Sequence, residues 1–126
     1  MQFNPTQSIY LQIADYVCEK ILLGEWKADD KVPSVRDLAV QLEVNPNTVM
    51  RTYDWLQQSG IIYNQRGIGF FVAPEGPDNA IAQRRKEFME KDLPVLFRNL
   101  YLLGMAPDEL KAPYEAFKQQ HFPQKQ

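Results

Sequence analysis

Residues 32–72, VPSVRDLAVQLEVNPNTVMRTYDWLQQSGIIYNQRGIGFFV, restrict the fold more than any other part of the chain. They hold two short stretches of helical periodicity, a tight reversal between them, and two strand-like runs closed by glycine. In the first stretch Ser34 stands where a helix N-cap is wanted, Asp37 follows three residues later, and Leu38, Ala39 and Leu42 fall on one face. After Val44 the chain reverses. Asn45 offers a second N-cap, with Pro46 at the first helical position, where a missing N–H has no partner to lose. The helix that follows is expected to run to about Ser59 and to stop at Gly60.

Stepping about 100° per residue around this second helix puts Val49, Thr52 and Leu56 on an inner face. Asn47, Met50, Arg51 and Asp54 fall on the outer face. Residues 61–65 and 69–73 read as two strands joined through Arg66, Gly67 and Ile68. Glycine at such a tip permits positive φ and a close approach to a phosphate, while Arg66 supplies charge. Two short helices and a glycine-tipped hairpin form a winged helix-turn-helix, an arrangement that reads double-stranded DNA through its second helix.

Charge tests that reading. The chain of 126 residues carries 14 basic and 16 acidic side chains, a net −2. Residues 1–30 hold two basic and five acidic groups, residues 31–72 four and three, and residues 73–126 eight and eight. The candidate reader is thus the only third with a net positive charge. One unit is little for phosphate attraction, so Lys31, Arg36, Arg51 and Arg66 must either cluster or be reinforced by pairing of two chains.

Ahead of the reader, Ile9, Tyr10, Ile13, Ala14, Val17 and Ile21 recur at three- and four-residue steps, which predicts a first helix over residues 8–23 with Ser8 as N-cap and Gly24 as its stop. Trp26 is expected to pack back onto the core from a polar connector. The aromatic residues Tyr10, Tyr53, Trp55, Phe70 and Phe71 are read as core, and so is Cys18. With one cysteine and one histidine, the chain is expected to hold no disulfide, no metal site and no cofactor. Neither an apolar run of about 18 residues nor a signal-peptide pattern occurs, so a cytoplasmic protein without a membrane partner is expected.

After residue 73, Pro74, Glu75, Gly76 and Pro77 read as a linker, dividing a DNA-binding domain of residues 1–74 from a helical tail of residues 75–126. Arg84, Arg85 and Lys86 are read as the wet face of the first tail helix. Pro94 should kink or break the tail unless it falls in a first turn, and Pro113 is a second source of bending. The tail places Phe88, Leu93, Leu96 and Phe97, then Leu100, Leu103, Leu110 and Phe117, where they cannot all be buried within so short a segment. An identical chain is the simplest partner for such faces, so these eight residues are the candidate dimerisation surface.

Four motifs then stand in order: SIYLQIA at residues 8–14, PSVRDLA at 33–39, VNPNTV at 44–49 and RGIGFFV at 66–72. Together they resemble the N-terminal domain of GntR-family bacterial transcriptional regulators. The VNPNTV form and short tail resemble the YtrA-like subfamily, whose helical tail serves dimerisation. The resemblance implies a mainly α fold with a small β-hairpin, a sequence-specific DNA-binding regulator, and a homodimeric repressor on a pseudo-palindromic operator. It implies DNA-contact roles for Arg36, Asn47, Thr48, Arg51, Arg66 and Gly67, and Lys31 and Ser34 complete the candidate DNA-binding set. Many relatives carry arginine where Pro46 and Met50 stand, which shifts expected base readout onto Asn47 and Arg51. Glu43 replaces a common glycine and is asked to adopt a strained geometry. A competing expectation is a winged helix that binds proteins and no specific DNA. An enzymatic reading, with a fused pyridoxal phosphate domain, fails on length.

Overall fold

The computed structural model describes residues 2–123. The order of elements is α1 (Ile9–Leu22), α2 (Val35–Leu42), α3 (Pro46–Gln58), β1 (Ile62–Gln65), β2 (Gly69–Val72), α4 (Gly76–Glu87), a π turn (Phe88–Asp92), α5 (Leu93–Leu102), a 3-10 turn (Pro107–Leu110) and α6 (Lys111–His121). The chain divides into two compact units, one ending at Arg84 and one beginning at Arg85.

In the first unit, three helices and a two-stranded wing close over one core. Ile13 and Val17 of α1, Leu38 of α2, and Val49, Tyr53 and Leu56 of α3 are buried together with Ile61 and Val72. Each such side chain contributes about 1.5–3 kcal/mol by leaving water. Cys18 lies in this core, with Trp26, Trp55 and Phe70 packed against it in part. The Thr52 hydroxyl is also buried and donates to the Tyr10 carbonyl at 2.7 Å, fastening α3 to the start of α1.

Four helices end in the same hydrogen-bond pattern, in which the two residues after the last turn donate back to carbonyls inside it. Gly24, Gly60 and Gly104 fill the left-handed position after α1, α3 and α5. After α2 the position belongs to Glu43, with φ 56° and ψ 49°, and Val44 N–H donates to the Ala39 carbonyl at 3.0 Å. The strained geometry expected for Glu43 is present.

The caps of the reader form as the spacing suggests. Ser34 Oγ accepts the Asp37 N–H at 3.0 Å, and Asn45 Oδ1 accepts the Asn47 N–H at 2.8 Å with Pro46 opening α3. Ser8 does not behave as expected: its side chain makes no cap, and its backbone carbonyl accepts the Leu11 and Gln12 amides. The N-terminal arm is closed by Gln12, whose side chain accepts from Asn4 N–H and donates to the carbonyls of Asn4 and Gln7.

β1 and β2 pair antiparallel in the register Ile62↔Val72 to Gln65↔Gly69. The connector before α2 adds to this sheet. Lys31 bridges Phe71, Val32 N–H donates to the Phe70 carbonyl, and Asp29 and Asp30 exchange hydrogen bonds with Val72.

Of the stretch from Pro74 to Pro77, expected as a linker, Pro74 and Glu75 form a turn, while Gly76 and Pro77 already open α4. Pro77 sits in the first turn, where it removes no helical bond. Gly76 is buried so tightly that a Cβ there would collide with the Ile61 carbonyl oxygen. Asn79 donates to the Gly60 carbonyl at 2.9 Å, Ala80 is buried, and Arg84 Nη1 reaches the Asp15 carbonyl at 3.3 Å and carboxylate at 3.6 Å. The first two turns of α4 therefore belong to the reader's core. Arg84 is an anchor, and only Arg85 and Lys86 of the basic trio are fully on the wet face.

In the second unit Pro94 is the second residue of α5 and breaks nothing. The π turn before it widens the helix where the pyrrolidine ring would strike the carbonyl of Glu90. Pro113 is the third residue of α6, again in a first turn. Leu100 is 6% exposed, Leu93, Leu96 and Leu110 are half-buried, and Phe88, Phe97, Leu103 and Phe117 are exposed.

Candidate nucleic-acid interface

The second helix of the reader, α3, presents a face of exposed side chains because its amphipathic spacing buries Val49, Thr52, Tyr53 and Leu56 on the other side. Asn47, Met50, Arg51 and Asp54 are all exposed, on the face assigned to them from the spacing. Thr48 is half-buried, and its carbonyl accepts the Thr52 hydroxyl at 3.1 Å. Asn47 lies in the first turn, where its backbone amide is already satisfied by the Asn45 cap. Its side chain is left to engage something else.

Arg51 is placed by a contact that sequence spacing did not reveal. Its guanidinium carbon lies over the Tyr10 ring, 3.9 Å from the centroid. Tyr10, expected in the core, is half-buried near the start of α1. No local pattern signals the pair, since the two residues are brought together only by the docking of α1 on α3.

Tyr53 sets the orientation of α3 relative to the wing. Its ring meets Phe70 edge-to-face at 4.9 Å between centroids, and its hydroxyl donates to the Pro33 carbonyl at 2.6 Å. Burial, and secondarily the negative charge of Asp37, push the phenol well above its ordinary pKa. It stays neutral and donates at any physiological pH.

The wing tip is a turn closed by the Ile68 N–H donating to the Gln65 carbonyl at 2.9 Å, with Gly67 at φ 79°. Positive φ at the third position of such a turn suits glycine. Arg66 and Gly67 are exposed there. Lys31 pairs with Phe71 alongside the wing, and its Cε lies 3.0 Å from where a Cβ on Gly69, at the tip end of β2, would stand. Tyr63 and Phe71 stack at 5.5 Å on the same hairpin, and Tyr63 hydroxyl donates to Asp29 at 3.3 Å. Ser34 and Arg36 are exposed at the beginning of α2, the Ser34 hydroxyl occupied as a cap. Among the described residues, Lys31, Arg36, Arg51 and Arg66 take part in no ion pair, so their charge is not spent inside the chain.

Residues 9–72, which span all these elements, match the family model described as bacterial regulatory proteins of the gntR family. The chain belongs to the GntR family. It is 33% identical over 116 residues to the HTH-type transcriptional regulator YhcF of Bacillus subtilis, covering 92% of this chain and 94% of that protein. It is likewise 33% identical to the HTH-type transcriptional repressor YtrA of B. subtilis, over 87% of this chain and 85% of that one. A crystal structure of a GntR-family regulator from Bacteroides thetaiotaomicron superposes with a TM-score of 0.70 at 44% identity, over 90% of this chain and 98% of the other.

This GntR protein is therefore a transcriptional regulator with a winged-helix DNA-binding domain, and the YtrA-like resemblance extends over nearly the whole chain. Among the described residues no helix is long and apolar enough to cross a membrane. No group of three or more His, Cys, Asp or Glu side chains among them is arranged to hold a metal ion.

Proposed function

We propose that this GntR regulator is a homodimeric repressor whose two α3 helices enter successive major grooves of a pseudo-palindromic operator, with each wing against phosphate or minor groove. The observation that carries the reading is the exposed face of α3, where Asn47 and Arg51 stand one turn apart at the end of the helix that would enter the groove. Arg36, Lys31, Arg66 and Gly67 are suited to backbone contacts, which fix register without reading sequence. Ser34 and Thr48 keep their roles as candidates, the first through a hydroxyl that already caps α2 and the second from a half-buried position.

The second unit, beginning at Arg85, supports dimerisation. Phe97, Tyr101 and Leu103 are 54%, 78% and 70% exposed, a display of apolar surface that an isolated chain does not favour. Phe88 and Phe117 are exposed as well, and Leu93, Leu96 and Leu110 are half-buried. Leu100 is already covered within the chain and contributes through the shape of α5. Pairing two readers multiplies affinity by a factor on the order of 100 to 10,000 without further contacts, which offsets the near-neutral charge of residues 31–72. Repression is favoured by the similarity to the YtrA repressor.

Selection from a randomised duplex library tests this directly. Full-length protein should enrich a two-fold symmetric site, and Phe97→Asp should sediment as a monomer and lose affinity for it by at least about 100-fold. Enrichment of no sequence would favour a winged helix devoted to protein partners. An asymmetric site bound by a monomer would remove the dimer.

A further inference from the structure

We propose that Tyr10 is a positioning residue for DNA readout: its ring holds the Arg51 guanidinium ready for the edge of a base pair. The inference rests on the reading of α3 as a major-groove helix and adds a residue from α1 to it.

The Arg51 guanidinium carbon lies over the Tyr10 ring at 3.9 Å from its centroid, the separation of a guanidinium stacked on an aromatic face, and in the proposed arrangement the ring covers one flat side of the group. The five N–H donors of arginine lie in the guanidinium plane and around its rim, where the ring does not reach. Among the described residues no carboxylate pairs with those donors, although Asp54 stands exposed only three positions away on the same helix. The group is thus held on one side and left unsatisfied along the edge that a bidentate contact to guanine uses. A free arginine on a helix surface loses much rotamer freedom when it binds. A ring that restricts it beforehand removes part of that loss.

The same residue joins α1 to α3 in a second way, through different atoms. Thr52 donates to the backbone carbonyl of Tyr10 at 2.7 Å, a bond that any residue at position 10 retains. The two helices are further held by the buried Ile13, Val17, Val49 and Tyr53. Docking of α3 therefore depends on the backbone and core, and the half-buried Tyr10 ring is left to act on Arg51.

The test uses the full-length protein and the site it enriches from a randomised duplex library. Arg51→Ala should flatten the preference at one base pair of each half-site. Tyr10→Ala should reduce the preference at that same base pair by about five- to tenfold, with affinity for mismatched duplexes nearly unchanged. Tyr10→Phe and Tyr10→Trp, which keep a π face, should restore it, and Tyr10→Leu, which keeps apolar bulk, should not. In the Arg51→Ala background, Tyr10→Ala should have no further effect at that position. Uniform weakening on all duplexes by Tyr10→Ala, or rescue by Tyr10→Leu, would show that the ring only packs and would overturn the proposal while leaving the major-groove reading intact. Loss of preference on Asn47→Ala but not on Arg51→Ala would do the same. A wild-type protein that enriches nothing would remove the major-groove reading and this proposal with it.

Discussion

Tyr53 shows how one buried polar group can position a whole face. Its hydroxyl donates to the Pro33 carbonyl and its ring wedges against Phe70, so α3, the entry to α2 and the wing are tied at a single side chain. Its pKa in the folded chain is raised above the ordinary value of about 10. The folded state then binds the proton more tightly than the unfolded state, and the associated stability is complete below pH 10 and falls as pH rises beyond it. Tyr53→Phe should lower stability by about 1 kcal/mol at pH 7 through loss of the hydrogen bond. It should also make denaturant midpoints less sensitive to pH above 10 than in the unaltered protein. Glu43 is the opposite case, a residue that opposes its own backbone. Glu43→Gly should raise stability by up to about 1 kcal/mol, because relief of the left-handed strain exceeds the added freedom of glycine in the unfolded chain. Equal or lower thermal stability of that variant would mean that the Glu43 side chain has a compensating contact.

Elements differ in how far local pattern could foretell them. The caps at Ser34 and Asn45, the stops at Gly24 and Gly60 and the tip at Gly67 depend on chemistry within a few residues, so periodicity and turn residues revealed them. Ser8 misled because cap preference says where a helix can begin but not which group closes the preceding arm. Here Gln12 does so from one turn inside α1. The helical state of Gly76 and Pro77 has a similar origin. Proline and glycine usually interrupt structure, yet Gly76 is required for close approach to Ile61 and Pro77 suits a first turn. Pairing of Tyr10 with Arg51 and of Arg84 with Asp15 is tertiary, and no local window contains either. Gly76→Ala should destabilise the first unit by about 1–3 kcal/mol, since the methyl group would have to displace backbone at Ile61. Thermal unfolding followed by circular dichroism would check it, and a neutral result would return the segment to the status of a linker.

At the scale of the molecule, two compact units share one chain, and the reader's unit ends at Arg84, beyond the Pro74 break. A truncation after Pro74 would therefore remove Gly76, Asn79, Ala80 and Arg84 from the reader itself, and single substitutions in the second unit are the cleaner probe of dimerisation. Winged-helix architecture and family were legible from motif order, because four local signals agreed. The apolar tail was legible only as surface in need of a cover. The central claim is that α3 helices of two chains occupy neighbouring major grooves. Methylation interference on the selected duplex tests it most directly, since guanine N7 lies in the major groove and adenine N3 in the minor groove. The expected result is interference by N7 methylation in two clusters centred about 10 base pairs apart, or a multiple of that spacing, related by the two-fold axis of the site. Interference from adenine N3 alone, or from a single cluster, would contradict the claim.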